Sequence, residues 1–370
     1  DSLILANEHP YKKYQISFVA PLGNQGLKGL QQEHQYSLNV LVGKSAALKG
    51  LEVGGLGNIE SDYVEGAQFA GLFNLVGGNQ KGLQAAGLFN VVGKTTQGSQ
   101  LAGLINLAGV DLRKKQKDSL PVVHPKSRFS SQLAGFINAD LQNKQNLQVA
   151  GFMNVAQEVE GVQASGFMNV SERVKGTQIS GFLNLAQYVE GSQVGLFNVS
   201  DSIKGVPIGL LSIVRKNGFR HMEFWGNEAF HANLGLKIGV RQFYNIFVLG
   251  SNYTPNSFRW GLGYGFGTQL NLRPQTFMNV DLIAYHVNED RKVTRVLNLL
   301  NTLKVTIGRR IGRHFSIFGG PSFNALVSDF KNSDNSIGSQ IAPWTFYETS
   351  SQRRGTNVKL WFGVNLGVRF

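Results

Sequence analysis

A short internal repeat is the feature that most constrains what this chain can fold into. Its core has the pattern Gly-x-Gln-x-Ala/Ser-Gly-Φ-Φ-Asn-Φ, where Φ is an apolar residue, and it recurs every 14 to 16 residues over 48–214. One interval is doubled by a basic insertion at 110–130, and the last copy, GVPIGLLSI, is degenerate. A glycine-rich unit this short cannot bury a core alone, so neighbouring copies must pack on one another.

Two all-β architectures can use such repeats: a β-solenoid with one coil per repeat, or a barrel with one strand per repeat. The residue before the repeat glycine distinguishes them, because Glu65 is followed by Lys81, and Glu160 by Lys175, in adjacent copies. In a solenoid this position stacks about 4.8 Å from its equivalent, where like charges repel. In an up-and-down barrel no alternation is needed, so the pattern favours the solenoid.

Two ladders of amide side chains are expected inside the solenoid, each amide donating to one neighbour and accepting from the other. We expect the Phe and Leu residues between them to fill the narrow core. A face that binds a glycan or calcium is the alternative, but the array has no Asp-rich periodic motif. The glutamine ladder is predicted to contain Gln68, Gln84, Gln100, Gln132, Gln148, Gln163, Gln178 and Gln193, and the asparagine ladder Asn74, Asn90, Asn106, Asn138, Asn154, Asn169, Asn184 and Asn198.

From Gly218 onwards the pattern changes to apolar and polar residues in strict alternation over 10 to 15 residues. Ordinary strands average about five or six residues, whereas strands of this length can cross a bilayer at a tilt. We therefore expect residues 215–370 to supply about eight strands of a transmembrane antiparallel β-barrel, and residues 1–47 to add two. The lumen is predicted to be basic, lined by Lys237, Arg241, Arg259, Lys359 and Arg369.

Composition agrees with an outer-membrane protein of a Gram-negative envelope. Only 16% of the residues are charged, against about 25% in soluble domains, and no apolar run is long enough for a transmembrane helix. The chain starts at Asp1 and has no cysteine, so we expect an exported protein whose signal peptide is removed. The last strand resembles the signal read by the barrel-assembly machinery, through Gly363, Leu366, Val368 and Phe370.

No motif for chemistry is found. The net charge of +13 is scattered along strands, apart from one run in the insertion, so nucleic acid is not an expected partner. No histidine has metal-ligand spacing with another histidine or an acid, and nothing marks a nucleophile. We therefore expect no enzyme, cofactor or metal site. The histidines are His9, His34, His124, His221, His231, His286 and His314.

The segments YQISFV, YSLNVLVG, the GLFN-type repeats, GLLSIVRKNG and RQFYNIF together resemble the surface-repeat-containing outer-membrane family of Bacteroidota and spirochaetes. The likeness covers nearly the whole chain. It implies an exported envelope protein with no assigned biochemical activity, and it supplies no functional residues to carry over.

The function expected is that of a non-enzymatic structural or interaction component, as a subunit of a larger outer-membrane complex. Its partners would be outer-membrane lipid and lipopolysaccharide, the assembly machinery during biogenesis, and other envelope proteins. The alternatives are a small passive pore and a surface adhesin. Counting strands back from the C-terminus places the array in the periplasm or the barrel mouth, whereas one more membrane strand would move it to the cell surface.

Overall fold

The computed structural model describes residues 9–110, 129–254, 257–289, 293–312, 315–332, 335–351 and 355–370. The chain is all-β and divides into two compact units, Asp1–Gly205 and Val206–Phe370. Within the described residues, none of the helical structure is long and apolar enough to cross a membrane. The predicted insertion lies almost wholly outside the described residues, as do His124 and His314.

Unit 1 is a β-solenoid of parallel strands, as the repeat predicted. Equivalent residues of successive coils pair in register, so that Asn58, Asn74 and Asn90 stack directly on one another. Its elements are β1 (Tyr11–Val19), β2 (Leu22–Gly23), the short 3-10 helix η1 (Gly26–Gln31), β3 (Glu33–Gly54), β4 (Gly57–Ala70), β5 (Phe73–Val76), β6 (Gln80–Ala86), β7 (Phe89–Val92), β8 (Thr96–Ala102), β9 (Ile105–Ala108), β10 (Ser130–Ala134), β11 (Ile137–Ala150), β12 (Met153–Ser165), β13 (Met168–Val174), β14 (Thr177–Ser180), β15 (Leu183–Val189), β16 (Ser192–Val194) and β17 (Phe197–Ile203).

The stack continues across the insertion without a break. Gln100 pairs with Gln132 and Asn106 with Asn138, in the same register as neighbouring coils. Each coil turns at the second repeat glycine, where backbones approach closely: a Cβ on Gly87 would lie 2.1 Å from the preceding coil's glycine carbonyl oxygen. Only glycine fits there, which explains its recurrence.

The core of the solenoid is not the one expected from the sequence. The prediction that Phe and Leu fill it is wrong, because Leu72 is exposed and Phe73 is only half-buried. The ladder amides on either side of them, Gln68 and Asn74, are fully buried. Side chains of a strand alternate between its two faces, so turning the amides inward turns their apolar neighbours outward. The remaining inward positions hold smaller aliphatic residues such as Val76.

The N-terminal residues also differ from the prediction. β1 and β3 pair in parallel, Ile16 opposite Leu38, and β3 pairs with β4 in the same way. The predicted N-terminal barrel strands of 1–47 are therefore the first coils of the solenoid. Their alternation is real, but it belongs to a coil with an apolar outer face: Ile16 and Leu38 are both exposed.

Unit 2 contains an antiparallel sheet that closes on itself, because β28 pairs with β26 along one edge and with β20 along the other. Eight strands of the described residues form the ring, and β27 pairs with the start of β28 outside it. The elements are β18 (Pro207–Ile208), β19 (Leu211–Val214), β20 (Phe219–Gly226), β21 (Ala232–Val240), β22 (Phe243–Thr254), β23 (Ser257–Arg273), β24 (Thr276–Glu289), β25 (Asn298–Arg310), β26 (Ser316–Ser328), β27 (Tyr347–Ser351) and β28 (Thr356–Arg369).

Alternation in this closed sheet puts apolar residues outside, while the inside combines buried polar and charged groups with large apolar side chains such as Phe230. On β24, Leu282 is 42% exposed while Asp281 beside it is fully buried. On β28, Phe362 and Leu366 are exposed and Trp361 is buried. Both units therefore carry polar side chains in their interiors and apolar ones on part of their surfaces.

Candidate functional site

The glutamine series forms a continuous hydrogen-bonded ladder. Each Nε2 donates to the Oε1 of the preceding coil over 2.7 to 2.9 Å, from Gln193 back to Gln68. At the start of the ladder Gln68 donates to Glu52, which also accepts from Asn39. A carboxylate only accepts hydrogen bonds, so Glu52 ends the ladder without requiring another acceptor.

The asparagine series forms a second ladder whose amides donate in the opposite direction. Asn58 Nδ2 donates forward to Asn74 Oδ1, and the pattern continues to Asn198 over 2.9 to 3.0 Å. From Asn58 to Asn184, the same nitrogen also donates to the carbonyl oxygen of the residue after the next coil's glutamine, as Asn74 does to Ala85. The ladders therefore satisfy backbone as well as side-chain groups.

A pair of buried carboxyl groups lies at the N-terminal end of this core. Glu52 and Glu60 are both almost completely inaccessible to solvent, and Ser45 Oγ donates to Glu60 Oε2 over 2.6 Å. Burial raises the pKa of Glu52, and burial together with the neighbouring charge of Glu52 raises the pKa of Glu60 well above its ordinary value. Two negative charges side by side are therefore disfavoured at this end of the core.

The charged residues lie on the edge of the solenoid away from the second repeat glycines, which we call the corner glycines. Lys144 and Lys175 each contact both Glu158 and Glu160, at 2.9 to 3.4 Å. Hydrogen bonds to the two glutamates raise the pKa of Lys175 to about 12. Those from Lys144 and Lys175 lower the pKa of Glu160. These exposed pairs neutralise each other between coils, as the alternation suggested.

An apolar ridge runs along the opposite edge. We define it by the corner residues Leu56, Leu72, Leu88, Leu104, Phe136, Phe152, Phe167, Phe182 and Leu196, each 37 to 49% exposed. The four phenylalanine rings stack with centroids about 5 Å apart. On one flank, beside Ala85 and Ala86, the surface forms an open groove of about 720 Å³ between Phe69 and Leu101.

The interior of the closed sheet contains a cluster of five buried charges. Glu223 accepts hydrogen bonds from the Arg369 guanidinium at 2.6 and 2.8 Å and lies 3.1 Å from Lys237 Nζ. Asp281 accepts from Lys237 at 2.8 Å and lies 3.4 Å from Lys304 Nζ. Three cations therefore surround two anions, which is the compensation that buried charges require.

Large side chains fill the space around this cluster. Trp225 lies 3.9 Å from Lys304 Nζ, measured to the ring centroid, and the Arg369 guanidinium lies 4.2 Å from the centroid of Phe277. Trp361 is also buried inside the sheet and donates to Glu228 over 2.9 Å. The interior is thus packed with aromatic rings that contact cations through their faces, rather than lined by free basic groups.

The other residues predicted to line a basic lumen have different surroundings. Arg241 is exposed in the turn after β21, so its prediction as a lumen residue is wrong, because β21 ends at Val240. Arg259 is half-buried and paired with Glu289 at 2.6 Å. Lys359 contacts Glu348 at 3.4 Å.

The predicted assembly-signal residues occupy the end of β28 and the residue after it. Leu366 and Phe370 are exposed on the outer face, Val368 is half-buried there, and Gly363 faces inward. A Cβ on Gly363 would fall against the Glu228 carboxylate. The exposed apolar end is typical of a strand that faces an apolar environment.

Sequence reasoning missed the acids Glu223 and Asp281 and the cation Lys304. All three stand at inward positions of alternating strands, which is a signal that was present in the sequence. It also missed Glu52, which takes the glutamine position in the first copy of the repeat.

No arrangement for catalysis is found in the part of the chain that the structure describes. It contains no group of three or more His, Asp or Glu side chains able to hold a metal ion. His34 is buried, and burial lowers its pKa to about 4, so it is neutral at physiological pH.

Comparison of the chain with protein-family models, with curated proteins and with solved structures gave no match.

Proposed function

We propose that the closed sheet is a transmembrane β-barrel of the outer membrane, and that the protein acts there as a non-enzymatic structural and interaction component. The observation that carries this proposal is the apolar outer face of unit 2, which surrounds an interior that contains buried charges. Leu249, Leu262, Leu282, Leu303 and Phe362 are 40 to 63% exposed on its outer face, while five charged side chains are buried inside.

Strand length supports a membrane-spanning sheet. Transmembrane β-strands need about 9 to 11 residues, and the strands from β22 to β26, together with β28, have 12 to 17. In water, an outer surface of this kind would be an aggregation hazard. In a bilayer it is the expected lipid-facing band, with backbone groups satisfied between strands.

The packed interior argues against the alternative of a small passive pore. Eight-stranded barrels have interiors that side chains can fill, and here Trp225, Trp361 and the charge cluster do so. We therefore expect no stable channel when the purified protein is added to planar bilayers. A conductance in the nanosiemens range would favour transport instead.

Membrane insertion is tested by one charge at the middle of the outer face. Leu282 and Leu303 are paired across β24 and β25, and Leu282→Lys should cost about 2–4 kcal/mol if it faces the bilayer midplane. Tyr253→Lys, at the 73% exposed end of β22, is the matched control and should cost much less. Urea unfolding in vesicles measures both. Equal, small losses would contradict a membrane-spanning sheet.

The interaction role is tested by purifying the tagged native protein in mild detergent and identifying what accompanies it by mass spectrometry. A regular solenoid offers an extended surface for partners, and we expect a stoichiometric set of envelope proteins. Recovery of the protein alone would remove the complex-subunit role. An adhesin, the third possibility, requires the solenoid to be accessible to protease in intact cells.

A further inference from the structure

The apolar ridge is too uniform to be a scattering of surface leucines. Nine coils are described between Leu51 and Val199. In each of them, the outward positions from the residue before the glutamine position to the residue after the asparagine hold no charged side chain. They hold Leu, Phe, Ile, Met, Val, Ala and Gly, with a few Ser and Thr. At about 4.8 Å per coil the ridge is about 40 Å long.

The shape of the ridge restricts what can cover it. Each coil bends at the two residues that separate its successive strand segments, as at Gly71 and Leu72 between β4 and β5. Apolar side chains flank the bend on both sides, with Phe69 exposed before it and Phe73 half-buried after it. The surface is therefore a convex corner with two apolar flanks. A second copy would present the same convex corner and leave flanks uncovered, whereas fluid acyl chains can follow both.

The backbone N–H groups at the corner are hydrogen-bonded within the stack. Leu72 and Phe73 both donate their N–H groups to the carbonyl oxygen of Leu56, at 2.8 and 3.1 Å, and Gly71 donates to Gly54. The same three bonds recur in the six coils that follow, from Gly87 to Leu183. In addition, the asparagine ladder satisfies the carbonyl oxygen of the residue after each glutamine. Polar backbone groups in lipid must be satisfied internally. The N–H groups of these bends meet that condition, whereas ordinary turns rely on solvent.

The distribution of charge indicates which edge of the solenoid faces water. Lys144, Lys175, Glu158 and Glu160 lie on the edge away from the corner glycines, so the coil is amphipathic across its section. An element with one apolar side and one strongly charged side lies in the plane of the membrane interface.

We propose that the solenoid lies on a lipid bilayer with its apolar ridge in the acyl layer and its charged edge in water. The groove beside Ala85 would take part of an acyl chain. The ligand is thus a lipid surface, bound along the whole array. This proposal goes beyond the proposed function of the closed sheet and shares with it only the presence of a bilayer.

The test uses fluorescent labels on single cysteines, because the native chain has none. The full chain is reconstituted into vesicles of phosphatidylcholine and phosphatidylglycerol, with an environment-sensitive dye on Leu104→Cys or Phe167→Cys. Quenching by doxyl groups on lipid acyl chains is compared with quenching by aqueous iodide. Glu190→Cys on the charged edge is the matched control, and Leu282→Cys reports on the closed sheet. Far-UV circular dichroism verifies that each variant is folded.

We expect the ridge labels to be quenched by acyl-chain doxyl groups at least severalfold more than the Glu190→Cys label, and the reverse with iodide. Ridge labels quenched by iodide would overturn the proposal, even if Leu282→Cys reports lipid and the membrane-spanning sheet survives. Ridge labels shielded from both quenchers would overturn it in favour of a protein cover. Lipid quenching at the ridge without quenching at Leu282→Cys would support it and count against the proposed function.

Discussion

Substituting one asparagine in the middle of its ladder measures how strongly the polar core holds the solenoid together. Asn154 Nδ2 donates to Asn169 Oδ1 at 3.0 Å and to the carbonyl oxygen of Ala164 at 2.6 Å. Asn154→Ala leaves these two acceptors without that donor. Each buried group left without a partner costs about 1–3 kcal/mol, so the local free energy of opening should fall by about 2–6 kcal/mol.

Hydrogen–deuterium exchange is the appropriate assay, because a chain of two units need not unfold in one step. A tenfold change corresponds to about 1.4 kcal/mol, so amides of the coils flanking Asn154 should exchange at least about thirtyfold faster. The matched control is Val155→Ala, which removes a half-buried outward side chain from the same strand and should cost less than about 1 kcal/mol.

Equal acceleration in the two variants would refute the reasoning. It would mean that the amide ladder contributes no more than one outward aliphatic side chain, and that backbone pairing alone holds the coils. Asn138 and Asn169 share hydrogen bonds with Asn154, so their coils should lose protection together with the substituted coil. Acceleration confined to the substituted coil would contradict this coupling between coils.

Three further predictions concern other parts of the two units. Glu60→Val should raise the stability of unit 1 at neutral pH and remove a decline of that stability with rising pH. Burial raises the pKa of Glu60, so the folded state retains a proton that the unfolded state loses above about pH 4.5. Hydrogen exchange at several pH values checks this. Glu223→Gln should destabilise unit 2 by about 3–5 kcal/mol, because it removes one of the two anions that the buried cations contact. Glu348→Gln alters a partly exposed pair and should cost less than about 1 kcal/mol. Equal losses for the two variants in urea unfolding in vesicles would contradict this. Gly87→Ala should prevent close stacking of the coils, since its Cβ would lie 2.1 Å from a carbonyl oxygen, while Ala86→Ser should be tolerated; thermal melts of the two variants give the comparison.

The solenoid could be predicted from the sequence because stacking imposes a period. Glutamine and asparagine recurring at matched spacing, with Glu65 and Lys81 alternating beside them, have a physical reason only when copies lie in register. The degenerate spacing of 14 to 16 residues did not hide this, since a coil can lose a residue at an edge and still pair. The coil that contains Gln193 is an example: Gly195 directly follows Val194, so this coil is one residue shorter between its glutamine and its corner.

The side that each residue faces could not be predicted with the same success. Alternation separates two sets of side chains but does not say which set is buried, and the general preference for apolar cores assigned Phe73 and Leu72 to the wrong side. The amides can be buried because each finds its partners in the neighbouring coils, and that is a property of the stack rather than of one repeat. The pattern around Ile16 and Leu38 predicts barrel strands, because outward apolar residues recur with the same period in a barrel strand and in a solenoid coil.

The opposite directions of the two ladders have an electrostatic consequence. A row of aligned amides adds its dipoles from end to end, as the peptide groups of a helix do. Here the glutamine row points its donors towards Glu52 while the asparagine row points its donors towards Asn198, so the two rows largely cancel. A coil can thus be gained or lost as a neutral module, without building up partial charge at either end of the array. The variation in coil length and the insertion after β9 are the kind of change that such a neutral, modular stack can accept.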